Sequence, residues 1–449
     1  WKPDYGSTKF NVRSGATAVG AREFLIAYNI NLNTTDRTYA NEIAYEIRER
    51  GRWKRTGNID PFYYKGDVVH FEEGKYPDGN SDFVGSSLDE LAKHYKETTG
   101  KDLRERYLSL GLDPDNLIGK PVYKDGKFTN VKGLGWVIPE YNRAQISMNL
   151  TNYKIAPIHH IFDAACEEAK KRGLRVTGSE IVGLIPYDAM KMAAEHYLLR
   201  MHKSSGLPVP DLMNVAVQSL GLCDVGDFNP KDKVLGMPKV DGDLANRVTF
   251  DFVDEVSRDS PAPGGGSVAA LSGALGAALG TMVANLSTSK AGFEDQKKRL
   301  NKISSKGQAV KDALIKAIDD DTSAFDQVIK AMRMPKDTDA DKKSRETAMQ
   351  EGYQIATQVP LETVKHCRDA LQICSEISKL MDDGMASDVG SGALMANAGA
   401  KAAAYNVRIN LKSIKNEKFC KATGKDLEKL IDECNLLTES VTQNVDKTL

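Results

Sequence analysis

Two periodicities divide the chain. In the first half, runs with the two-residue alternation of strands take turns with segments of helical spacing. Glu23 to Leu32 (EFLIAYNINL) is apolar and β-rich, and predicts a strand. Tyr39 to Arg50 is amphipathic with helical spacing and stops at Gly51. Gly135 to Ile138 and Ala144 to Thr151 read as two strands joined by a turn at Pro139-Glu140-Tyr141-Asn142. Pro157 to Arg172 predicts a helix, with proline at its start and Gly173 just past its end. Arg175 to Ile185 predicts a strand, and Tyr187 to Met201 a helix. The order β-α-β-β-α-β is that of a ferredoxin-like unit. It is interrupted between its first helix and second strand by an insert, about Thr56 to Thr129. The insert is rich in Tyr, Gly and Asp and holds one predicted helix, Ser87 to Thr98.

The pattern changes across Lys233 to Asp243 (KVLGMPKVDGD), which sets the expected domains at 1–235, a linker at 236–243, and 244–449. Beyond it every long segment has helical period: Lys297 to Met332, Ala340 to Met381, Gly390 to Ile414 and Asp426 to Leu449. The expected fold is therefore multi-domain: a ferredoxin-like α/β subdomain followed by an all-α helical bundle. One segment, Ser267 to Leu286, is apolar over about 20 residues, the length of a membrane crossing. Ser267, Ser272, Thr281 and Asn285 interrupt it, and Gly273, Gly276 and Gly280 would let another helix approach closely. That favours a buried bundle helix over a membrane span.

Charge narrows the choice of partner. Lys plus Arg is 61 and Asp plus Glu is 62, so nothing electrostatic argues for nucleic acid or an anionic membrane surface. The six cysteines (166, 223, 367, 374, 420 and 434) form no C-x-x-C pair, which points to a reducing, cytoplasmic setting. No metal site is expected, since His159-His160 has no further ligand at metal-binding spacing. No P-loop or dinucleotide fingerprint is present. The chain opens at Trp1 in mid-motif, and is expected to be part of a longer protein.

Candidate chemistry concentrates in the second half. Ser260-Pro261-Ala262-Pro263-Gly264-Gly265-Gly266-Ser267 is a restricted, then very permissive, loop that runs into a helix of small residues. It is either a tight turn before a core helix or an anion grip, with Ser267 capping the helix and its first N–H groups free. On the helix that follows, Leu314, Ile318, Phe325, Val328 and Met332 form an apolar stripe at 4-3 spacing. Asp321 completes that stripe, while Asp319 and Asp320 turn away toward solvent. A carboxylate on a core-facing side has a raised pKa and is a candidate general acid, unless it pairs with a cation such as Lys401 or Arg408. Asp388 lies among small residues and reads either as a ligand contact or as a helix cap. Asn406 and Asn410, one turn apart, face a cavity or specify helix pairing.

Together these segments resemble the formiminotransferase-cyclodeaminase family. PAPGGGSVAALSGALGAALG (Pro261 to Gly280), DDDTSAFDQVIKAMRMPK (Asp319 to Lys336) and ASDVGSGALMANAGAKAAAYNVRINL (Ala386 to Leu411) are similar to its cyclodeaminase half. SGATAVGAREFLIAYNINL (Ser14 to Leu32), AQISMNLTNY (Ala144 to Tyr153) and VTGSEIVGLIP (Val176 to Pro186) look like its formiminotransferase domain. The resemblance implies transfer of a formimino group from N-formimino-L-glutamate to tetrahydrofolate, in histidine breakdown. It also implies closure of 5-formiminotetrahydrofolate to 5,10-methenyltetrahydrofolate with loss of ammonia. Asp321 matches the family's catalytic aspartate. Gly264, Gly265, Gly266, Ser267, Asp388 and Asn406 become expected folate contacts of the cyclodeaminase. Gly6, Ser7, Lys9, Phe10, Asn11, Arg13, Ser14 and Gly15 become expected folate contacts of the transferase. Polyglutamylated tetrahydrofolate as co-substrate and a dimer-based, ring-like homo-oligomer follow from the same resemblance.

Two departures limit it. The first transferase subdomain, which carries the family's catalytic histidine, has no counterpart here, so transferase activity is expected only where that subdomain is supplied. The insert is also extra to the compact members. Methenyltetrahydrofolate cyclohydrolase, which occurs on the same helical fold, and a folate-binding or assembly module without turnover remain the alternatives.

Overall fold

The computed structural model describes residues 2–57, 64–238, 242–260 and 262–449. Pro261 of the glycine loop, part of the expected linker (239–241) and part of the insert (58–63) lie outside the described residues. The chain divides into two compact units, one of Trp1–Ala193 with Ala216–Met237, the other of Ala194–Val215 with Pro238–Leu449.

The first unit begins with β1 (Ile26–Leu32) and α1 (Arg37–Ile47). Asp36 caps α1 by accepting from the Thr38 N–H, and Gly51 (φ +65°) turns the chain immediately after it. A Cβ at Gly51 would collide with the Lys124 carbonyl, so both the left-handed backbone and the close approach require glycine. The turn leads into β2 (Arg52–Trp53), then β3 (Tyr76–Pro77), β4 (Val84–Gly85), α2 (Leu88–Thr99), α3 (Leu103–Ser109) and β5 (Tyr123–Lys124). β2 pairs with β5 and β3 with β4, both antiparallel. Ser87 caps α2, the predicted helix of the insert, by accepting from the Glu90 N–H. The sequence reading missed α3, whose seven residues are too few to display a helical period. The insert buries a core of its own, built on Phe71, Leu91, Tyr95, Leu103, Tyr107 and Val122.

The remaining frame is β6 (Val131–Ile138), β7 (Arg143–Leu150), α4 (Ile158–Lys171) and β8 (Val176–Val182). These strands and β1 form one antiparallel sheet in the order β6-β7-β1-β8, the split arrangement predicted from element order. Ile26, Tyr28, Ile30 and Leu32 alternate onto the face covered by α1 and α4, opposite Ala144, Ile146, Met148 and Leu150 of β7. After β8 come β9 (Ile185–Pro186), α5 (Tyr187–Arg200), α6 (Val209–Leu220), α7 (Pro230–Lys233) and β10 (Val234–Leu235), which pairs parallel with β9.

The second unit is helical: α8 (Thr249–Val256), α9 (Gly265–Thr288), α10 (Lys297–Met332), α11 (Asp339–Ile377), α12 (Ala386–Leu411) and α13 (Glu417–Asp446). Asn416 accepts from the Phe419 N–H and so starts α13 at Glu417 rather than at Asp426. Among the described helices, α9 is long and apolar enough to cross a membrane, yet it is packed by α10, α11 and α12, as a bundle core helix is. Its small residues explain the closeness. A Cβ at Gly276 would meet the Gly392 carbonyl at 2.6 Å, and one at Gly399 of α12 would meet the Ala269 carbonyl at 2.7 Å.

Candidate functional site

Asp321 lies where the stripe on α10 was expected to be interrupted, but the stripe itself is rotated. The buried positions are Leu314, Ala317, Ile318, Ala324, Val328 and Ala331, whereas Phe325 and Met332 are 37% and 39% exposed. Alanine rather than the larger apolar residue faces the neighbouring helices, because the backbones approach too closely for a large side chain. Asp321 stands at the edge of this buried line and is half-buried.

The three adjacent carboxylates have three different fates. Asp320 accepts from Lys316 one turn earlier, at 2.5 Å. Asp319 is not simply solvated as predicted: its two oxygens accept from the N–H groups of Leu244 and Ala245, at 2.9 and 3.0 Å. Asp321 has no cationic partner among the described residues. Burial pushes its carboxyl above the ordinary aspartate range, and a hydrogen bond from the Ser267 N–H opposes that shift without cancelling it. The cations that sequence offered as partners are elsewhere engaged or exposed: Arg408 pairs with Glu428 at 3.0 Å, and Lys401 is exposed.

The glycine loop delivers its residues to this carboxylate. Gly264 is the N-cap of α9, in extended conformation and without a side-chain cap. The prediction that Ser267 caps the helix is therefore corrected. Ser267 sits inside the first turn, and its buried hydroxyl donates to the Ile318 carbonyl of α10 at 2.7 Å. Gly266 is buried directly beneath Asp321, and any Cβ there would collide with the carboxylate. Gly265 is exposed, and its missing Cβ points toward the Asn406 amide nitrogen, 3.5 Å away. Loop, acid and Asn406 thus meet at one end of α9. The Asn406 amide donates to the Ala402 carbonyl at 3.0 Å, while the Asn410 amide donates to the Ala356 carbonyl at 2.7 Å and ties α12 to α11.

Asp388 does not join them. It lies in the first turn of α12, whose N-cap is Met385. From there to Asn406 is 406 − 388 = 18 residues of the same helix, a separation of about 27 Å at 1.5 Å per residue.

In the first unit, Gly6, Ser7, Lys9, Phe10, Asn11, Arg13, Ser14 and Gly15 are all exposed. Among the described residues their hydrogen bonds are local: Asn11 accepts from the Arg13 and Ser14 N–H groups, and Ser7 from that of Lys9. A more organised and largely buried polar network, missed in the sequence, lies on the sheet face opposite α1 and α4. Gln145 donates to Asn31 at 2.7 Å, Asn31 to Asp224 at 2.9 Å, and Trp136 to Gln145 at 3.0 Å. Arg143 and Thr177 both donate to Asp224. Burial of Asp224 acts to raise its pKa, but these three donors, Arg143 foremost, hold it below the ordinary range. The signal was available as alternation: Asn29-x-Asn31 in β1 and Arg143-x-Gln145-x-Ser147-x-Asn149 in β7 put every polar side chain on one face.

An α/β unit with a polar sheet face and a helical bundle with a half-buried acid at a glycine-rich helix start define a two-domain enzyme-like chain. A family profile described as "Formiminotransferase domain" matches residues 27–237, and one described as "Formiminotransferase-cyclodeaminase" matches 249–429. Formimidoyltransferase-cyclodeaminase of Gallus gallus is 31% identical over 437 residues, covering 96% of this chain and 68% of that protein. Methenyltetrahydrofolate cyclohydrolase of Methylorubrum extorquens is 35% identical over 200 residues, covering 44% of this chain and 96% of that protein. The solved formiminotetrahydrofolate cyclodeaminase of Thermotoga maritima covers 45% of this chain and 98% of its own, at 25% identity and TM-score 0.42. The chain belongs to the formiminotransferase-cyclodeaminase family, a family of folate-using enzymes.

The raised Asp321 pKa carries a stability cost that depends on pH. Between the unfolded aspartate value of about 3.9 and the higher folded value, the unfolded chain ionises first, so stability falls as pH rises through that window. Asp321→Asn removes the effect. Its melting temperature is expected to exceed that of wild type at pH 7, with the gap narrowing as pH approaches 4 in parallel thermal melts. A gap that does not change with pH contradicts this assignment.

Proposed function

We propose that this chain closes 5-formiminotetrahydrofolate to 5,10-methenyltetrahydrofolate, releasing ammonia, with Asp321 as the general acid. The observation that carries the reading is the carboxyl group held by the Ser267 N–H against Gly266, with no cation among the described residues to keep it ionised. N10 of the folate attacks the formimino carbon, and its proton passes to the imino nitrogen. Asp321 then protonates that nitrogen, the carbon–nitrogen bond breaks, and ammonia leaves with the bonding pair. The methenyl cation remains, and water re-protonates the carboxylate. Positioned acid catalysis is worth about 10²–10⁴-fold. Asp321→Asn should lower kcat for ammonia release by a factor in that range; unchanged release sinks the proposal.

Similarity to the Methylorubrum cyclohydrolase supports a second reading, hydrolysis of the methenyl group at the same acid. Ammonia release and methenyl hydrolysis measured on one preparation separate the two. A module without turnover would be supported by Asp321 salt-bridged and sealed from any cavity; among the described residues it has no ion pair.

The co-substrate in this reading is polyglutamylated tetrahydrofolate in the cytoplasm. The Gly264–Ser267 turn contributes backbone N–H groups to the ligand's carboxylates. One of them, that of Ser267, is already given to Asp321. Gly265 is exposed and has room for a side chain. Gly265→Val should therefore weaken folate binding by about tenfold or more in calorimetric titration while leaving the melting temperature nearly unchanged. A large loss of stability with unaltered affinity favours a packing role for the loop.

For the transferase half, Arg143, partly exposed at the edge of the polar sheet face, and the segment from Gly6 to Gly15 are the proposed folate and formiminoglutamate contacts. The bundle is proposed to associate as a homodimer, the base of a ring-like assembly. Its α9 and α12 expose Val268, Leu275, Leu286, Leu394, Tyr405 and Ile409, an apolar surface for a second copy to cover. Leu275→Asp with Leu394→Asp should reduce the sedimenting mass of the assembly; an unchanged mass rejects this face.

A further inference from the structure

The run Arg48-Glu49-Arg50-Gly51-Arg52-Trp53-Lys54-Arg55 was not used by either activity, and it is the densest concentration of positive charge at the junction of α1 and the insert. Because Gly51 turns the chain so tightly, Arg48, Arg50, Arg52 and Arg55 all reach one cleft of about 290 Å³. Arg52 is neutralised there by Glu42 at 2.5 Å and Glu46 at 3.2 Å. The other three have no carboxylate partner among the described residues. Arg48 donates to the carbonyls of Gly51 and Gly133 and lies 4.3 Å over the Tyr45 ring. Among the described residues, the Arg50 side chain reaches the Tyr123 hydroxyl, at 3.4 Å, and that of Arg55 the Gly66 carbonyl, at 2.8 Å. Burial first, and then the charges of Arg50 and Arg52 beside it, hold the Arg48 guanidinium below its ordinary pKa. Three cations with spare donors make a surplus that a multiply charged anion would relieve.

Trp53 narrows the class. It is 48% exposed, is fixed in place by the pairing of β2 with β5, and also lines a second cleft of about 240 Å³ on which Arg52 and Arg55 open. An exposed indole flanked by guanidinium groups offers a planar stacking surface beside an anion grip. We propose that the Arg48–Arg50–Arg55 cleft, with Trp53 at its rim, binds a nucleoside di- or triphosphate, the phosphates on the arginines and the base on the indole.

Calorimetric titration of the full chain with ADP, with tripolyphosphate and with tetraglutamate tests this. ADP should bind with a Kd that rises with salt concentration. The double variant Arg50→Ala with Arg55→Ala should bind it about tenfold or more weakly. Trp53→Ala should weaken ADP but not tripolyphosphate. Three results overturn the proposal: no ADP binding at millimolar concentration, an unaffected double variant, or tetraglutamate binding as tightly as ADP. Ammonia release by the double variant should equal that of wild type, which keeps this test independent of the proposed cyclodeaminase reaction.

Discussion

The bundle depends on how closely α9 approaches its neighbours. At Gly273 a Cβ would run into Cys367 and Leu314, and at Gly276 into the backbone of Gly392 and Ala396. Contact at that distance is available only to glycine and alanine, and it leaves α9 with no freedom to slide along α12 without a clash. The position of its first turn follows from that registry. Gly266 comes to rest under α10 with space for a carboxylate and nothing else, and the Ser267 hydroxyl locks the arrangement by donating to the Ile318 carbonyl. A sequence of small residues therefore does more than fill a core: it sets the coordinates at which an acid on one helix meets the amide end of another.

Environment, not residue type, separates Asp319, Asp320 and Asp321. Successive positions on a helix are turned by about 100°, so three identical side chains meet three surroundings. Lysine at i−4 gives Asp320 an ordinary surface ion pair, worth little. Two backbone donors give Asp319 a structural task, holding the segment before α8 against α10. Only Asp321 is left with burial as its larger influence and a single amide as compensation. A proton-donating carboxyl near neutral pH needs that imbalance, and a lysine in reach of Asp321 would abolish it.

The fold was legible because it is written in local periods, strand alternation and 3.6-residue spacing, with boundary residues such as Pro157 and Gly173 around α4. The site was legible in parts but not as a unit. Gly266 and Asp321 could each be singled out, yet their contact spans 321 − 266 = 55 residues and exists only through packing. Hydrophobicity mis-set the rotation of α10, since Phe325 and Met332 outweigh the alanines on any scale while the alanines do the packing. Ser267 read as a cap because serine is common there, but the helix starts earlier, at glycine, where no side chain marks the boundary. Asp388 could not be separated from Asn406 by composition; length along α12 separates them. The sheet's polar face was missed because β1 was read as an apolar, β-rich run, without its alternating Asn29 and Asn31.

The insert is tolerated by the ferredoxin-like frame for a related reason. Its own core, around Phe71, Tyr95 and Tyr107, means it makes few demands on the core beneath the sheet. It is fastened instead by buried charge. Arg52 and Lys124, on paired strands of the insert's base, both reach Glu46 of α1, and Glu42 completes the bond to Arg52. Buried ion pairs of this kind contribute little net stability against an apolar alternative, but breaking one side strands a charge in the interior. They therefore act on geometry more than on energy, holding the insert in one orientation on α1. Glu42 and Glu46 are both spent on Arg52 and Lys124, and among the described residues no other carboxylate pairs with Arg48, Arg50 or Arg55, so the charge surplus at the cleft follows from how the insert is attached.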